Sequence, residues 1–408
     1  MDEPWTKWIP GVLSPKQMTE LCRIGLLTGH GPLDTVLDNS SIDLSISGEA
    51  YEMIHGSVKP SGSYPSYAWF IKNENLAREL RPAGDGTFLL NTKKTYVFKL
   101  NEKLNTKGIV AAGFYGQATA KSSIGRVDVL VRLIVDGMHT YECFEPKILK
   151  NRTGEMYLEI TPITFHVKVK PGTYLSQLRL FYGKPQAVTI KGRGLFRTAL
   201  QGVEKPDGSL TVDLTNLEEG HQPVAAFCAI GNALDDPVPL WEEPLEENKP
   251  KAWKYWKFKQ ADANNRLKIE ETQFYLLRSK ERIAVPGGVA IYCRASDETI
   301  GEMRIHYAGF VHPLWGKRRG DGTLGTPLMY EVRGHQVHVM LGHGEKLANL
   351  TFYRMSEDVI EPNNEDTTGN VPIVKTTPYE KQRLKLSKFF SKWPDELRRE
   401  SDDTVEPA

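Results

Sequence analysis

Past residue 40 the chain alternates. Ser41-Ile42-Asp43-Leu44-Ser45-Ile46 puts an apolar side chain at every second position, as a strand with one buried face requires. The same period, broken by Gly, Pro and Asn, predicts further short strands at 87–90, 95–100, 109–114, 127–135, 157–161, 165–169 and 175–182. Ahead of this region the period is helical. Ser14 as N-cap, Pro15 at the first helical position, and Met18, Leu21, Cys22 and Leu26 on one face predict a single short helix. Many short strands between turn residues indicate a mainly β fold, a sandwich or barrel with a few short helices.

The second half of the chain echoes the first. Thr211-Val212-Asp213-Leu214-Thr215 matches Ser41-Ile42-Asp43-Leu44-Ser45 at an offset of 170 (43 to 213), and Glu102-Lys103-Leu104 matches Glu281-Arg282-Ile283 at 179 (102 to 281). The run ending at Gly137 matches the run ending at Gly309 at 172, and Glu159 faces Glu331 at the same offset. Beyond it His166 aligns with His338, Gly172 with Gly344, Leu175 with Leu347 and Leu178 with Leu350. Ordered matches at nearly constant spacing indicate a tandem duplication of one β-rich module. The expected division is a first module at 1–190, a Gly-, Pro- and charge-bearing linker at 191–208, a second module at 209–357, and a loop with a C-terminal amphipathic helix and solvated tail at 358–408. In that tail Leu384, Leu386, Phe389, Phe390 and Trp393 are expected to pack on the body or on a partner subunit.

Composition sets the limits. A chain of 408 residues is long enough for two domains that each bury a core. Hydrophobic residues at 40%, charged residues at 25% and a mean hydropathy of −0.41 describe a soluble globular chain, and no apolar run reaches membrane-spanning length. Lys and Arg total 52 against 51 Asp and Glu, a formal charge of +1, which argues against a polyanion such as nucleic acid as the main partner. A nucleotide needs only a local cluster of cations. The N-terminus lacks the basic and apolar regions of a secretory signal, so a cytoplasmic location is expected. Cys22, Cys143, Cys228 and Cys293 are scattered and read as free thiols.

Two chemical signals lie between residues 121 and 181. Ser122 and Ser123 precede Arg126; such a pair caps a helical turn, and the open N–H groups of the same turn also hold a phosphate. Glu159 sits in the apolar run Met156-Tyr157-Leu158-Glu159-Ile160, where a carboxylate is costly unless paired or used. A structural ion pair and a catalytic group leave the same trace. The whole pattern, Lys121-Ser-Ser-x-x-Arg126, an apolar strand, Gly154-x-x-Tyr-Leu-Glu159-Ile and Lys170-Pro-Gly-Thr-x-Leu-Ser-Gln177-Leu, resembles the dCTP deaminase branch of the dUTPase-like superfamily. The resemblance is to its two-domain form, which carries KSSxGR, YLEIxP and a second-half HYAGF segment, and it covers most of residues 10–355.

That resemblance implies a tandem of dUTPase-like β-barrel (β-clip) modules and a metal-independent hydrolysis of dCTP to dUTP and ammonia. It makes Glu159 the general base, since burial moves a carboxyl toward the pKa range useful for proton transfer. Ser122 would fix the water and the base edge, and Arg126 would balance the charge; a purely structural Arg126–Glu159 salt bridge is the other reading. Lys121, Ser123, Asp43 and Gln177 are implied on the nucleotide, although Asp43 is equally a turn or cap residue and Gln177 an exposed strand-edge amide. His306, Tyr307 and Gly309 resemble the dUTPase loop that receives base and sugar, against the alternative of a hairpin with packed aromatics. Mg²⁺ would arrive on the triphosphate. No zinc is expected, because the H-x-E and P-C-x-x-C motifs of zinc deaminases are absent.

In the second copy the position facing Arg126 is acidic, Asp297 or Glu302, so this module is expected to support and not to catalyse unaided. No counterpart is recognised of the C-terminal segment that closes over the triphosphate in single-domain relatives. The rivals are a dUTPase or bifunctional enzyme, although His312 stands where a water-activating aspartate is expected, and a nucleotide-sensing protein without turnover. Inhibition by dTTP and a homo-oligomeric state complete the expected partners, with neither nucleic acid nor membrane among them.

Overall fold

The opening helix forms where its signals lie. The Ser14 hydroxyl accepts from the Gln17 N–H at 3.3 Å while the Gln17 side chain accepts from the Ser14 N–H at 3.0 Å, a capping box that starts α1 (Pro15–Arg23). Its inner face, Met18 and Leu21, joins the first module's core. A computed structural model describes residues 3–58, 60–73, 75–204, 206–219, 222–243, 245–296, 303–306, 309–317, 324–360 and 384–393, and the statements below concern these.

One expected strand is a helix. At 109–112 the apolar run belongs to α2 (Thr106–Ala112), which Asn105 caps by accepting from the Gly108 N–H at 3.2 Å and which Gly113 ends at φ 72°, while Phe114 opens the next strand. Ile109 and Ala112 are its buried side. The cap residues at 105 and 113 held the signal, and the apolar run between them is too short to show its period.

The first module contains β1 (Ser41–Met53), β2 (Tyr96–Leu104), β3 (Phe114–Ala120), β4 (Val129–Val135), β5 (Glu155–Pro162) and β6 (Tyr174–Tyr182). They pair antiparallel in the order β3-β6-β1-β2-β5-β4. Long β1 meets β6 through its first residues and β2 through its last, with a register shift between Ile46 and Ala50, so one strand turns the corner between two faces. In the second module β7 (Ser209–Asp213), β8 (Ala226–Ala229), β9 (Phe274–Ile283), β10 (Val289–Ala295), β11 (Met303–His306), β12 (Gly309–Val311), β13 (Thr326–Gly334) and β14 (Lys346–Arg354) follow. Their antiparallel order, β10-β14-β7-β9-β13-β11, repeats the first sheet strand for strand.

Buried carboxylates fix how the two copies superimpose. Glu102 accepts from the Ser45 N–H at 2.9 Å and its hydroxyl at 2.8 Å; Glu281 accepts from the Thr211 N–H at 2.7 Å and its hydroxyl at 2.8 Å. Ser45 therefore corresponds to Thr211, an offset of 166 (45 to 211), and the match of Asp43 with Asp213 at 170 is corrected by four residues. Similarly, Arg132 lies opposite Glu159 and His306 opposite Glu331, two positions away from the expected 172. Short strands slide against a repeated apolar pattern without losing the match, whereas a buried hydrogen bond allows one register.

The modules share their packing. Segment 191–208, expected as linker, holds a helix at Arg193–Ala199, and the adjoining Thr189–Ile190 and Leu200–Gln201 pair with β14 and β9. Val12, Phe181, Ala290, Tyr353 and Met355 form a common cluster. The buried Arg179 guanidinium donates to Ile291 O and Ser40 Oγ, both at 3.0 Å, and lies 3.9 Å from the Phe310 ring. Among the described residues no helix is long and apolar enough to cross a membrane. Leu384, Phe389 and Phe390 are buried in the first module's core, with the Phe390 ring tilted against Phe165 and Tyr255 and edge-on to Trp256. The described part of that expected helix, 384–393, is not helical; its aromatic residues are spent on packing.

Replacing Glu102 or Glu281 by Ala strips two donors in a buried strand of their acceptor. Each substitution is expected to lower unfolding free energy by about 1–3 kcal/mol, measured as a shift of the urea transition; an unchanged midpoint would show that water replaces the carboxylate freely.

Candidate active site

The turn after β3 is built by its own backbone. α3 (Ser122–Gly125) is one helical turn whose N-cap, Lys121, offers no capping side chain, and the Arg126 and Asp128 N–H groups return to Ser122 O and Gly125 O at 3.2 and 2.9 Å. Neither serine hydroxyl caps it. Asp128, at φ 53°, then swings the chain into β4.

This turn forms one wall of a cavity of about 580 Å³ that both modules line. Lys121, Ser122, Ser123, Arg126, Asp43 and Gln177 face it from the first module. Lys121 is ion-paired with Asp43, and Gln177 accepts from the Ser41 hydroxyl at 3.3 Å. From the second module come Gly309, His312, Cys293 and Glu331. His306 stands directly opposite Glu331 in the β11–β13 register, and Tyr307 lies outside the described residues.

Glu159 does not line this cavity. Its carboxylate is 1% exposed and saturated within the first module: Oε1 accepts from the Ser57 hydroxyl at 2.9 Å and from Arg132, and Oε2 accepts from the Tyr141 hydroxyl at 3.0 Å. Arg132 lies 4.1 Å from the Tyr141 ring. The carboxylate that meets the Ser122–Arg126 turn is Glu331. A Cβ on Gly125 would lie 2.8 Å from it, so the glycine of the motif leaves the space that this side chain fills. The expectation of an Arg126–Glu159 constellation is corrected accordingly. The turn of one module meets the strand of the other, and spacing along the chain does not separate the two glutamates that occupy equivalent strand positions.

Burial pushes the Glu331 carboxyl up to about 8, against the pull of Arg126 and with a further push from Asp128. Arg126 also donates to Lys385 O at 2.9 Å. Burial lowers His312 to about 4, so it is neutral. Ser40 Oγ accepts from Arg179 and shares a hydrogen bond with His312 Nδ1 at 2.9 Å, while His312 Nε2 lies 3.5 Å from the Asp38 carboxylate.

The C-terminal segment supplies a wall that the sequence did not reveal. The Ser387 hydroxyl donates to Ser123 O at 2.8 Å, Lys388 and Phe389 line the cavity, and Lys388 pairs with Glu242 at 2.7 Å. Across it Lys170 lies 4.6 Å from the Trp241 ring. The run Leu384-Lys-Leu-Ser-Lys-Phe-Phe carried the available signal, since so apolar a tail must be covered by something.

The cavity therefore combines a buried carboxyl poised near neutrality, a guanidinium beside it and several ammonium groups, a donor set suited to moving a proton on a polyanionic ligand. The family described as 2'-deoxycytidine 5'-triphosphate deaminase matches with its N-terminal domain over residues 9–184 and its C-terminal domain over residues 210–390. The crystal structure of 2'-deoxycytidine 5'-triphosphate deaminase from Agrobacterium tumefaciens is similar at 25% identity and a TM-score of 0.73, covering 86% of this chain and 96% of that one. No curated protein matches the sequence. Both domains of the family are present, in order, and the chain is an enzyme of the 2'-deoxycytidine 5'-triphosphate deaminase family.

Proposed function

We propose that the chain hydrolyses dCTP to dUTP and ammonia without zinc, with Glu331 of the second module as the proton-transferring group and Arg126 and the Ser122–Ser123 turn of the first module completing the site. The observation that carries this reading is the Glu331 carboxyl, buried in the cavity against Gly125 and raised to about 8.

A carboxyl with a pKa near the working pH both takes and gives a proton at little cost. Ionised Glu331 accepts a proton from water as the water oxygen bonds to C4 of the cytosine, and passes that proton to N3. The hydroxyl now on C4 yields its proton by the same route to the 4-amino nitrogen, which leaves as ammonia and leaves the C4 carbonyl of uracil. Arg126 limits the charge that builds up beside the carboxylate. Ser122, at the cavity edge of the turn, is the hydroxyl available to the water and the base edge. Lys121, Lys170 and Lys388 are the ammonium groups available to the triphosphate, with Gln177, Asp43 and the Ser123 backbone alongside. In this reading Mg²⁺ travels on the triphosphate's own oxygens; among the described residues no three His, Cys, Asp or Glu side chains converge as a metal-holding group.

Glu331→Gln is expected to lower ammonia release from dCTP by about 10²–10⁴-fold, whereas Glu159→Gln keeps turnover and loses stability through its unsatisfied partners. Assaying both variants with dCTP, Mg²⁺ and a zinc chelator separates the two glutamates; the opposite ranking would return catalysis to Glu159, and loss of wild-type activity to the chelator would refute the zinc-free step.

The raised carboxyl also sets a pH dependence. Wild-type kcat/KM should climb with pH to a midpoint near 8, and a midpoint at 4–5 would assign the ionisation to another group. Because Glu331 holds its proton more tightly folded than unfolded, the stability it gives is full below pH 4.5 and is lost as pH rises toward 8. Glu331→Gln should therefore gain in melting temperature relative to wild type as the pH is raised from 5 to 9.

A further inference from the structure

Arg126 and Asp128 lie two residues apart on the first module's turn, and Glu331 and Arg333 lie two residues apart on β13, hence on one face of that strand. The partners cross in sign. Arg126 acts on Glu331, while Arg333 donates to Asp128, whose carboxylate is fully buried. Asp128 also accepts from the Thr164 hydroxyl at 2.5 Å, and Arg333 reaches Thr272 O and lies 5.9 Å from the Phe274 ring. Asp128 and Arg333 do not line the cavity. Their pair is the bond between the turn that carries Arg126 and the strand that carries Glu331.

We propose that Asp128 and Arg333 are positioning residues for the deamination: their ion pair clamps β13 to the turn and so holds the Glu331 carboxyl against Gly125 and beside Arg126. The inference rests on Glu331 as the reacting carboxyl. The groups acting on that carboxyl are Arg126 and Asp128 from the turn and Cys293 from β10, and in the backbone register His306 of β11 stands opposite Glu331. Removing the Asp128–Arg333 pair takes away a negative charge that raises Glu331, and loosens the strand that sets the distance over which the proton is transferred.

The decisive variant is Asp128→Asn/Arg333→Met, which leaves no unpaired charge behind. It is expected to lower kcat for dCTP about 10- to 100-fold with KM changed less than about threefold, and to move the acid limb of kcat/KM to lower pH. Arg333→Lys, which keeps the charge and loses the fork, should lower kcat with the limb unmoved, and serves if the double variant fails to fold. Circular dichroism verifies folding. A folded double variant, or Arg333→Lys, with wild-type kcat and pH profile would overturn the positioning role. If Glu331→Gln itself turned over dCTP normally, the assignment of the reacting carboxyl would fail first, whatever the pair does.

Discussion

Four charged side chains between the modules, Arg126, Asp128 and Glu331 buried and Arg333 partly so, fix the geometry of everything around them. Arg126 and Asp128 on one side, Glu331 and Arg333 on the other, sum to no net charge when all are ionised, yet each would be expensive alone in a dry interface. Hydrophobic packing brings the two sheets together over a broad area but is indifferent to small slides. A crossed pair of opposite charges is not indifferent: it admits one relative placement, and that placement leaves Glu331 facing the cavity.

Duplication leaves only one of two equivalent glutamates lining the cavity. Glu159 and Glu331 occupy the same place in the same strand of two superimposable sheets. In the first module Ser57 and Tyr141 close over Glu159 and Arg132 neutralises it from the adjacent strand. In the second module the charge partner comes from another module's turn, and the carboxyl stays in a cavity with its proton loosely poised near neutral pH. The strand supplies a position; what packs against it decides between a strut and an acid–base group.

Much of this was legible in the chain. Alternation from Ser41, the turn residues and the ordered matches between halves gave a mainly β tandem, and Lys121 to Arg126 with Gln177 and Gly309 do meet in one cavity. What failed did so for physical reasons. The 109–112 run is helical because Asn105 and Gly113 cap it, a local hydrogen-bond effect that outweighs an ambiguous apolar pattern. Glu159 is the glutamate near the serine motif in sequence, whereas the carboxylate that meets the turn comes from the other module. The cavity wall at 384–393 went unrecognised because its role is set by burial of Phe389 and Phe390 beneath distant residues, not by a motif.

That last wall has a consequence for how the site is completed. Strands of both sheets, the turn and Glu331 all precede residue 384 along the chain, yet Ser387, Lys388 and Phe389 dock beside Ser123 and complete the cavity. The same few residues thus serve two ends at once: Phe390 seals a core, and its neighbours Lys388 and Phe389 face the cavity, so a disturbance of that packing reaches the site directly.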